Sequence, residues 1–539
     1  MLYMKKKEKK SLFASGVKLS FITLFSRILG VIREATKADF LGTTALADAF
    51  GIAFTIPNLF RRLFAENSVS VAFIPTFKEY LDNSNTEEGR KTTQDFISAS
   101  LTLVSFLTAL VVIIGIIVAP FIVKVFTNAE GDIIQETALL TRIMFPYLFV
   151  ISVAALFQGI LNGLKIFTPS GFTPILFNLC VIGGTYLLSP YTANPARAMA
   201  IGVIVGGTIQ ALFQLPFVLK NNWKINFSSI KKAFSNPGTR KVMSLIGPTI
   251  IGMAAYQLND AVSIALAGNA GTGVVSSLQY SLRLQELILG IFAVSIGTVI
   301  LPDLTGFAKS QNWQEFNKML TLAVRIIALI TIPITFYSLV TGEHIISLVY
   351  KNNKFTDESV SLTMEAFKYH IIGLFFIAVN RIISPAFYAQ SNTKSPTLAG
   401  IIGFVSNIII ALILVTPMAG GGIALALTIA SGINTLFLFI FLAKNGTVSV
   451  LQIAKDMILY AIKMIAFSLI ALIPVLFLKD KLFNMFTGYN RFIAEGIPLV
   501  LSALLFALIG ILLLVITKDP LVKLATKKIR SKKETSAEE

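Results

Sequence analysis

Arginines within long apolar segments are the residues of this 539-residue chain whose type and placement can do chemistry. They are Arg27, Arg33, Arg61, Arg62, Arg142, Arg283, Arg325 and Arg381. An arginine at the centre of a membrane-spanning helix costs about 2.5–3.5 kcal/mol on insertion scales, so a group of them requires a compensating partner. Arginines near helix ends extend to the lipid headgroups. Arg27, Arg33 and Arg283 have apolar residues on both sides, which favours a buried cavity.

The segment around Arg283 has the clearest helical pattern. Arg283, Glu286 and three small residues recur at intervals of three and four, so they share one helix face; the small residues are Gly290, Ala293 and Gly297. Small residues allow a neighbouring helix to approach closely.

The first two apolar segments carry further charges. Arg27 and Arg33 lie about 120° apart around a regular helix, with Gly30 between them. Pro57 interrupts the second segment just before Arg61. Asp48 is an acid available to pair with the arginines, but the arginines remain in excess. Because guanidinium groups bind phosphate oxygens in pairs, this arrangement predicts a phosphate-bearing ligand.

The composition indicates the elements that carry these residues. Hydrophobic residues make up 55% of the chain and charged residues only 14%, whereas soluble domains are near one quarter charged. Apolar runs of roughly 20 residues recur along the chain and predict about 14 spans. Helices satisfy their own backbone polar groups in lipid, so the fold class is an all-α polytopic membrane protein.

The net charge of +18 is distributed as in a membrane protein rather than a nucleic-acid-binding one. Lysines and arginines concentrate in the two tails and in the loop at 221–241. The positive-inside rule therefore predicts that both termini are cytoplasmic in a multi-pass protein of the cytoplasmic (inner) membrane. We expect no nucleic-acid partner.

A repeat divides the chain. The segments at 72–77 and 299–304 are similar, as are those at 167–169 and 394–396, and the prolines of both pairs are about 227 residues apart. This favours two pseudo-symmetric six-helix lobes plus two C-terminal helices. The predicted boundaries are an N-lobe at 1–220, a basic cytoplasmic linker at 221–241, a C-lobe at 242–445, and two helices with a basic tail at 446–539.

Motifs of catalysis are not found in the sequence. There is no Walker loop, no nucleophile elbow and no zinc-binding helix, and the chain has one cysteine and two histidines. We therefore expect a protein that is not an enzyme and has no cofactor.

Four blocks in order give a specific resemblance: SRILGVIRE at 26–34, ADAF at 47–50, IPNLFRRLFAE at 56–66 and AFIP at 72–75. Shorter matches follow around Arg283, at 354–356 and at 394–396. The chain resembles the MurJ (MviN) lipid II flippases of the multidrug/oligosaccharidyl-lipid/polysaccharide exporter superfamily, over about residues 15–445. The last two spans match in hydropathy only.

The resemblance implies alternating access and a substrate. Lipid II, the undecaprenyl-diphosphate-linked peptidoglycan precursor, would move from the cytoplasmic to the outer leaflet. The residues implied for substrate binding are Arg27, Arg33, Arg61, Arg283, Asp48 and Glu286. Other expected partners are membrane lipids and the proteins of cell-wall synthesis and division.

Transport needs an energy source. The resemblance implies a sodium site, for which Asp260, Asn407 and Thr428 can supply oxygen ligands. A coupling proton and the membrane potential are the other candidates.

Three alternatives stay open. A flippase for another polyprenyl-linked glycan agrees with the cavity chemistry but not with the motif blocks. A drug/cation antiporter would have twelve spans and an acidic cavity. A scaffold of the cell-wall machinery would bind lipid without transport.

Overall fold

The computed structural model describes residues 2–66, 69–444, 446 and 448–522. Within these residues every regular element is a helix, which confirms the all-α prediction. The α-helices are α1 Leu2–Leu41, α2 Ala45–Phe60, α3 Ile74–Asp82, α4 Glu87–Phe126, α5 Gly131–Met144, α6 Pro146–Gly163, α7 Thr168–Leu188, α8 Pro195–Lys220, α9 Ile230–Ser235, α10 Pro237–Gly268, α11 Val274–Lys309, α12 Trp313–Tyr350, α13 Asp357–Ile372, α14 Leu374–Ala389, α15 Lys394–Ala443, α16 Val450–Met485 and α17 Arg491–Ile516. The predicted basic tail at 523–539 lies outside the described residues.

Apolar helices long enough to cross a membrane make this a multi-pass membrane protein. Eight such helical stretches occur in the described part of the chain: Glu87–Phe126, Gly131–Gly163, Thr168–Tyr191, Pro195–Lys220, Trp313–Tyr350, Lys394–Ala443, Val450–Met485 and Arg491–Ile516. Helices α13 and α14, which meet at 42°, form a ninth candidate. The total of about 14 spans stays a prediction.

Helix α15 is interrupted. Its 50 residues would extend about 75 Å, more than twice the thickness of the hydrocarbon core. At Ala419 the backbone has φ 44° and ψ −124°, outside helical geometry, next to the glycines at 420–422. The chain therefore leaves helical geometry beside these glycines.

Pro57 lies inside α2 and is followed by a change of helix type. Proline removes one backbone donor and crowds the preceding turn. Two π-helical turns follow, at Arg61–Glu66 and Val69–Phe73, before α3 begins. Arg61 and Arg62 therefore stand on irregular helix.

The chain divides into two compact units by its internal contacts. The first comprises Met1–Leu287, Asn352–Ser359 and Asn407–Ile423; the second comprises Ile288–Lys351, Val360–Ser406 and Ala424–Glu539. The predicted boundaries of the two lobes remain a prediction.

The first unit is built on α7 and α8. Helices α1 and α6 pack against this pair, while α2 packs on α5 and α4 on α5 and α6. A buried aromatic group around Phe96 stabilises one end: its ring lies 5.5 Å from that of Phe73 and 4.6 Å from that of Tyr80.

The second unit is built on α12, against which α14, α16 and α17 pack. Three acid–base pairs involve residues of these helices. Arg325 contacts Asp456 at 3.0 Å, Lys463 contacts Asp519 at 2.6 Å, and a nitrogen of His344 lies 2.7 Å from Glu495. The predicted C-terminal helix pair, α16 and α17, is therefore anchored to α12 by buried apolar groups and by the pairs that Arg325 and His344 form.

Glycines bring α7 and α8 into backbone contact. A Cβ atom added at Gly202 would lie 3.1 Å from the Cα of Val181 and 3.2 Å from the carbonyl oxygen of Cys180. Both neighbours are backbone atoms and cannot rotate away. Close approach of this kind is the usual source of helix packing energy in a membrane, where the hydrophobic effect is weak.

We predict that Gly202→Leu destabilises the protein, because the larger side chain forces α7 and α8 apart. Overpacking of this kind costs about 1–3 kcal/mol. Thermal unfolding of the detergent-purified protein, followed by size-exclusion fluorescence, measures the effect. Gly183→Ala is the matched control on α7, since no atom lies within 4 Å of an added Cβ there. Equal melting temperatures for all three proteins would contradict the prediction.

Candidate functional site

Helices α1 and α11 run antiparallel and bring three of the predicted arginines, Arg27, Arg33 and Arg283, together within the first unit. Arg27 Nη1 donates to the carbonyl oxygen of Glu286 at 3.3 Å. Further along α1, Lys37 Nζ donates to Gln279 Oε1 at 2.9 Å. The residue numbers rise along one helix and fall along the other, so the contact follows both helix axes.

Arg283 lies directly against the backbone of α1 at Gly30. A Cβ atom added at Gly30 would be 1.8 Å from Nη2 of Arg283, so only glycine allows this approach. Arg283 Nη1 also contacts Glu286 Oε2 at 3.1 Å, one turn along α11. Arg283 and Glu286 therefore lie on one helix face, as their spacing predicted. Gly30 provides the space that the guanidinium group of Arg283 occupies, and α1 continues as a helix beyond it.

Arg33 points to a different neighbour from Arg27, as their separation around α1 requires. Its Nη1 donates to Asn178 Oδ1 on α7 at 3.2 Å, and its Nη2 pairs with Glu34 at 2.7 Å. The guanidinium carbon also lies 5.7 Å from the ring centre of Phe177. Arg33 is thus held between α1 and α7 by a hydrogen bond, an ion pair and contact with an aromatic ring.

Lys37 is a member of the site that the sequence reasoning missed. Its side chain is only 4% exposed, and Nζ lies 3.3 Å from Glu34 and 4.4 Å from the ring centre of Tyr280. The signal was present in the spacing, because Lys37 follows Glu34 by three residues and Arg33 by four, on the same helix face. Sequence hydropathy does not distinguish such a lysine from one at a helix end.

We name Arg27, Arg33, Lys37, Arg283, Glu34 and Glu286 the α1–α11 charge cluster. Four basic side chains face two acidic ones, so the cluster has an excess of positive charge. Exposure rises along it, from 4% for the Lys37 side chain to 28% for Arg283 and 49% for Glu286. At the exposed end, an anionic group would meet Arg27 and Arg283 beside Glu286. Such a cluster can bind phosphate oxygens.

Asp48 ties α2 to the beginning of α11. Its carboxylate accepts hydrogen bonds from the backbone N–H groups of Gly273, at 2.5 Å, and Ser276, at 2.8 Å. The first N–H groups of a helix have no partner within the helix, and a carboxylate there also interacts favourably with the helix dipole. Asp48, predicted to contact substrate, is placed here as an N-terminal cap of α11.

The turn between α1 and α2 is closed over the same end of α11. Tyr280 donates its hydroxyl to the carbonyl oxygen of Gly42 at 2.9 Å, and Thr43 Oγ1 lies 2.7 Å from Ser359 Oγ. Phe355, within the 354–356 motif, is fully buried with its ring 5.3 Å from that of Tyr280. We name these contacts, together with those of Asp48, the closed end of the cluster.

Arg61 and Arg62, the arginines of the second apolar segment, lie on the π-helical turn after α2. Arg61 Nε donates to Asn58 Oδ1 at 2.7 Å, on its own helix. Arg62 pairs with Asp260 on α10 at 2.6 Å and donates to Gln257 at 3.3 Å. Arg61 is therefore the predicted site residue whose orientation depends on the irregular backbone behind Pro57.

The three predicted cation ligands have different surroundings. Asp260 is engaged by Arg62. Thr428 donates to the carbonyl oxygen of Tyr369 at 2.6 Å. Asn407 is buried and donates to Asn259 Oδ1 at 2.7 Å, while its own Oδ1 has no hydrogen-bond partner among the described residues. In the part of the chain described by the structure, no group of three His, Cys, Asp or Glu side chains is placed to hold a metal ion.

Comparison with known proteins agrees with this architecture. Residues 37–492 match the protein family described as "Lipid II flippase MurJ". The "Probable lipid II flippase MurJ" of Treponema pallidum (strain Nichols) is 45% identical over 526 residues, covering 97% of this chain and 99% of that protein.

Solved structures agree as well. The structure titled "Lipid II flippase MurJ, inward closed conformation" matches with a TM-score of 0.77 at 26% identity, covering 94% of this chain and all of that one. An inward-facing multidrug resistance MATE family transporter matches with a TM-score of 0.66 at 14% identity, covering 80% of this chain and 96% of that one, and shares the fold. The family match extends over most of the chain, which confirms the resemblance found in the four sequence blocks. The chain belongs to the lipid II flippase MurJ family, a family of lipid transporters rather than enzymes.

Proposed function

We propose that this protein moves lipid II, an undecaprenyl-diphosphate-linked peptidoglycan precursor, from the cytoplasmic to the outer leaflet of the inner membrane. The observation that carries the proposal is the position of Arg283, set against Gly30 between the two arginines of α1. Family membership supplies the substrate class, and the cluster supplies the chemistry. Peptidoglycan synthesis and cell shape then depend on the protein.

The diphosphate is the part of the substrate that the cluster fits. It brings negative charge to a site in which basic groups outnumber acidic ones, and arginine forks bind its oxygens in pairs. Glu34 and Glu286 hold Arg33 and Arg283 in place until the diphosphate arrives. Substrate charge then replaces carboxylate charge, and close approach of the arginines no longer costs electrostatic repulsion.

Release requires the closed end of the cluster to open. The hydrogen bonds of Asp48 to the start of α11, and those of Tyr280 and Thr43, must break for the headgroup to leave past the turn between α1 and α2. Alternating access then consists of closing behind Arg283 and opening here. Both termini are cytoplasmic in this scheme, so the closed end faces outward.

An ion gradient or the membrane potential drives the cycle. A potential that is negative inside favours outward movement of an anion by about 2.3 kcal/mol per charge per 100 mV. For a coupling cation, the buried oxygen Oδ1 of Asn407 is the acceptor that supports a site, with Asn259 and Ser263 beside it. Asp260 and Thr428 remain the other predicted ligands. Proteins of cell-wall synthesis and division are the partners that would consume the product.

Arg283→Ala is expected to abolish support of growth in cells depleted of their own flippase, while the protein still folds and reaches the membrane. Charge-assisted hydrogen bonds contribute about 1.5–3 kcal/mol, so we expect about a 10- to 100-fold loss of lipid II translocation in proteoliposomes. Arg142→Ala is the control, because Arg142 is exposed and bonds the carbonyl oxygen of Ile116.

The results separate the alternatives. Full growth with Arg283→Ala would show that the site is wrongly assigned. Unchanged exposure of lipid II headgroups on the outer face, after depletion of the wild-type protein, would remove the proposed function. Binding of lipid II without translocation would favour the scaffold, and equal transport of another polyprenyl-linked glycan would favour the broader flippase.

Gly30→Ala is expected to reduce translocation at least tenfold with little loss of stability. The added methyl group meets the end of a flexible arginine side chain, which can rotate away. The fold is therefore preserved, but the guanidinium group of Arg283 no longer contacts α1 at residue 30. Thermal unfolding and the translocation assay together measure the two effects. The control is again Gly183→Ala, where the space is open. Wild-type transport by Gly30→Ala would show that the contact of Arg283 with Gly30 has no functional role.

A disulfide across the closed end is expected to stop transport. Thr43→Cys and Ser359→Cys, combined in a Cys180→Ala background that removes the single native cysteine, replace two oxygens that lie 2.7 Å apart. Oxidation should block headgroup release and reduction should restore it, with each single-cysteine variant unaffected. Transport at the wild-type rate by the fully oxidised double variant would contradict opening at this end.

A further inference from the structure

The segment at 221–241 has a composition unlike the rest of the chain. It runs from the end of α8 into the first turn of α10 and contains no acidic residue. Its five basic side chains are all exposed: Lys224, Lys231, Lys232, Arg240 and Lys241. The charge cluster and the closed end contain no residue of this segment. Their proposed role in transport therefore does not explain its positive charge.

The segment is fixed to the surface of α4. Thr102 Oγ1 accepts a hydrogen bond from the backbone N–H of Ser228 at 2.8 Å, and Gln94 bonds the backbone of Lys224 through both its amide oxygen and its amide nitrogen. Ala233 of α9 is fully buried against Ala99 and Leu103. The short helix α9 therefore has a defined inner face, and its other faces are directed away from the protein.

The position of the segment along α4 is at the margin of the apolar belt. Phe106 is the first of a series of exposed apolar residues on α4: Phe106, Leu107, Leu110, Ile113, Ile114, Ile117 and Phe121. The ring of Phe234 lies 6.2 Å from that of Phe106. Thr102 is only four residues away, about 6 Å along the helix. The segment thus lies at the level where hydrocarbon ends and headgroups begin.

Exposed apolar side chains accompany the lysines. Phe227 is 67% exposed, Ile230 49% and Phe234 37%. Ile230 and Phe234 are four residues apart on α9, next to Ala233, while Lys231 and Lys232 occupy the rest of its circumference. Apolar groups beside basic ones are the pattern of a segment that lies in a membrane interface.

We propose that residues 221–241 bind the anionic phospholipid headgroups of the adjacent leaflet, with Phe227, Ile230 and Phe234 inserted among the acyl chains. Charge complementarity selects the lipid: Lys241 is paired with Glu79 at 2.6 Å, while the exposed side chains of Lys224, Lys231, Lys232 and Arg240 favour phosphatidylglycerol over a zwitterionic lipid. The fixed attachment to α4 means that no ordering of the segment is needed on binding.

Native mass spectrometry of the full-length protein tests the lipid preference. We expect the wild type to retain phosphatidylglycerol at least about tenfold better than phosphatidylcholine, since each basic group near an anionic surface contributes appreciably. Lys231→Gln with Lys232→Gln should remove most of this preference. The matched control is Lys309→Gln with Lys318→Gln, which removes the same charge from exposed positions outside the segment.

A depth measurement tests the location independently. A spin label on Phe227→Cys, in a Cys180→Ala background, should be more accessible to oxygen than to an aqueous nickel complex when the protein is in phosphatidylglycerol bilayers. The proposal is overturned if the label is more accessible to nickel, or if the wild type shows no lipid preference. An equal loss of preference in both lysine pairs would also overturn it; an aqueous label would instead favour a protein partner.

Discussion

The contact of Arg283 with the backbone of α1 at Gly30 is the interaction on which the rest of the site depends. Positive charge is costly inside a membrane protein, and it is costlier when several cations lie on neighbouring helices. Here one guanidinium group is brought against a helix backbone, with arginines one turn away on either side and two carboxylates nearby. The antiparallel register of α1 and α11, and the cap that Asp48 provides to α11, both serve to maintain that contact.

Charged side chains are paired differently in the two units. In the second unit Arg325 on α12 pairs with Asp456 on α16, and Lys463 on α16 pairs with Asp519. The charge cluster of the first unit has more basic than acidic groups. Paired charges of the first kind stabilise an arrangement of helices, while an excess of one sign leaves capacity for a ligand of the other sign. This distinction separates structural arginines, such as Arg325, from those proposed to bind substrate.

Much of the architecture could be predicted from the sequence, because long apolar runs identify membrane helices and because the four motif blocks are specific. The helices that carry the site were harder to predict. Helices α1, α2 and α11 contain charges, glycine or proline, so hydropathy identifies them poorly. Lys37 was missed because burial is a property of packing, and the cap formed by Asp48 depends on a contact between residues more than two hundred positions apart. Gly30 was placed correctly between the arginines, but its role required the position of a side chain on another helix.

A hydrogen atom in place of a side chain at position 30 has a genetic consequence. The requirement there is for empty space, and the atom that fills the space belongs to α11. Changes elsewhere on α1 cannot recreate the space once a methyl group occupies it. Second-site suppressors of a defective residue 30 should therefore arise on α11 or on the helices that set its distance from α1. The pattern of such suppressors would trace which parts of the chain control the spacing of the two helices.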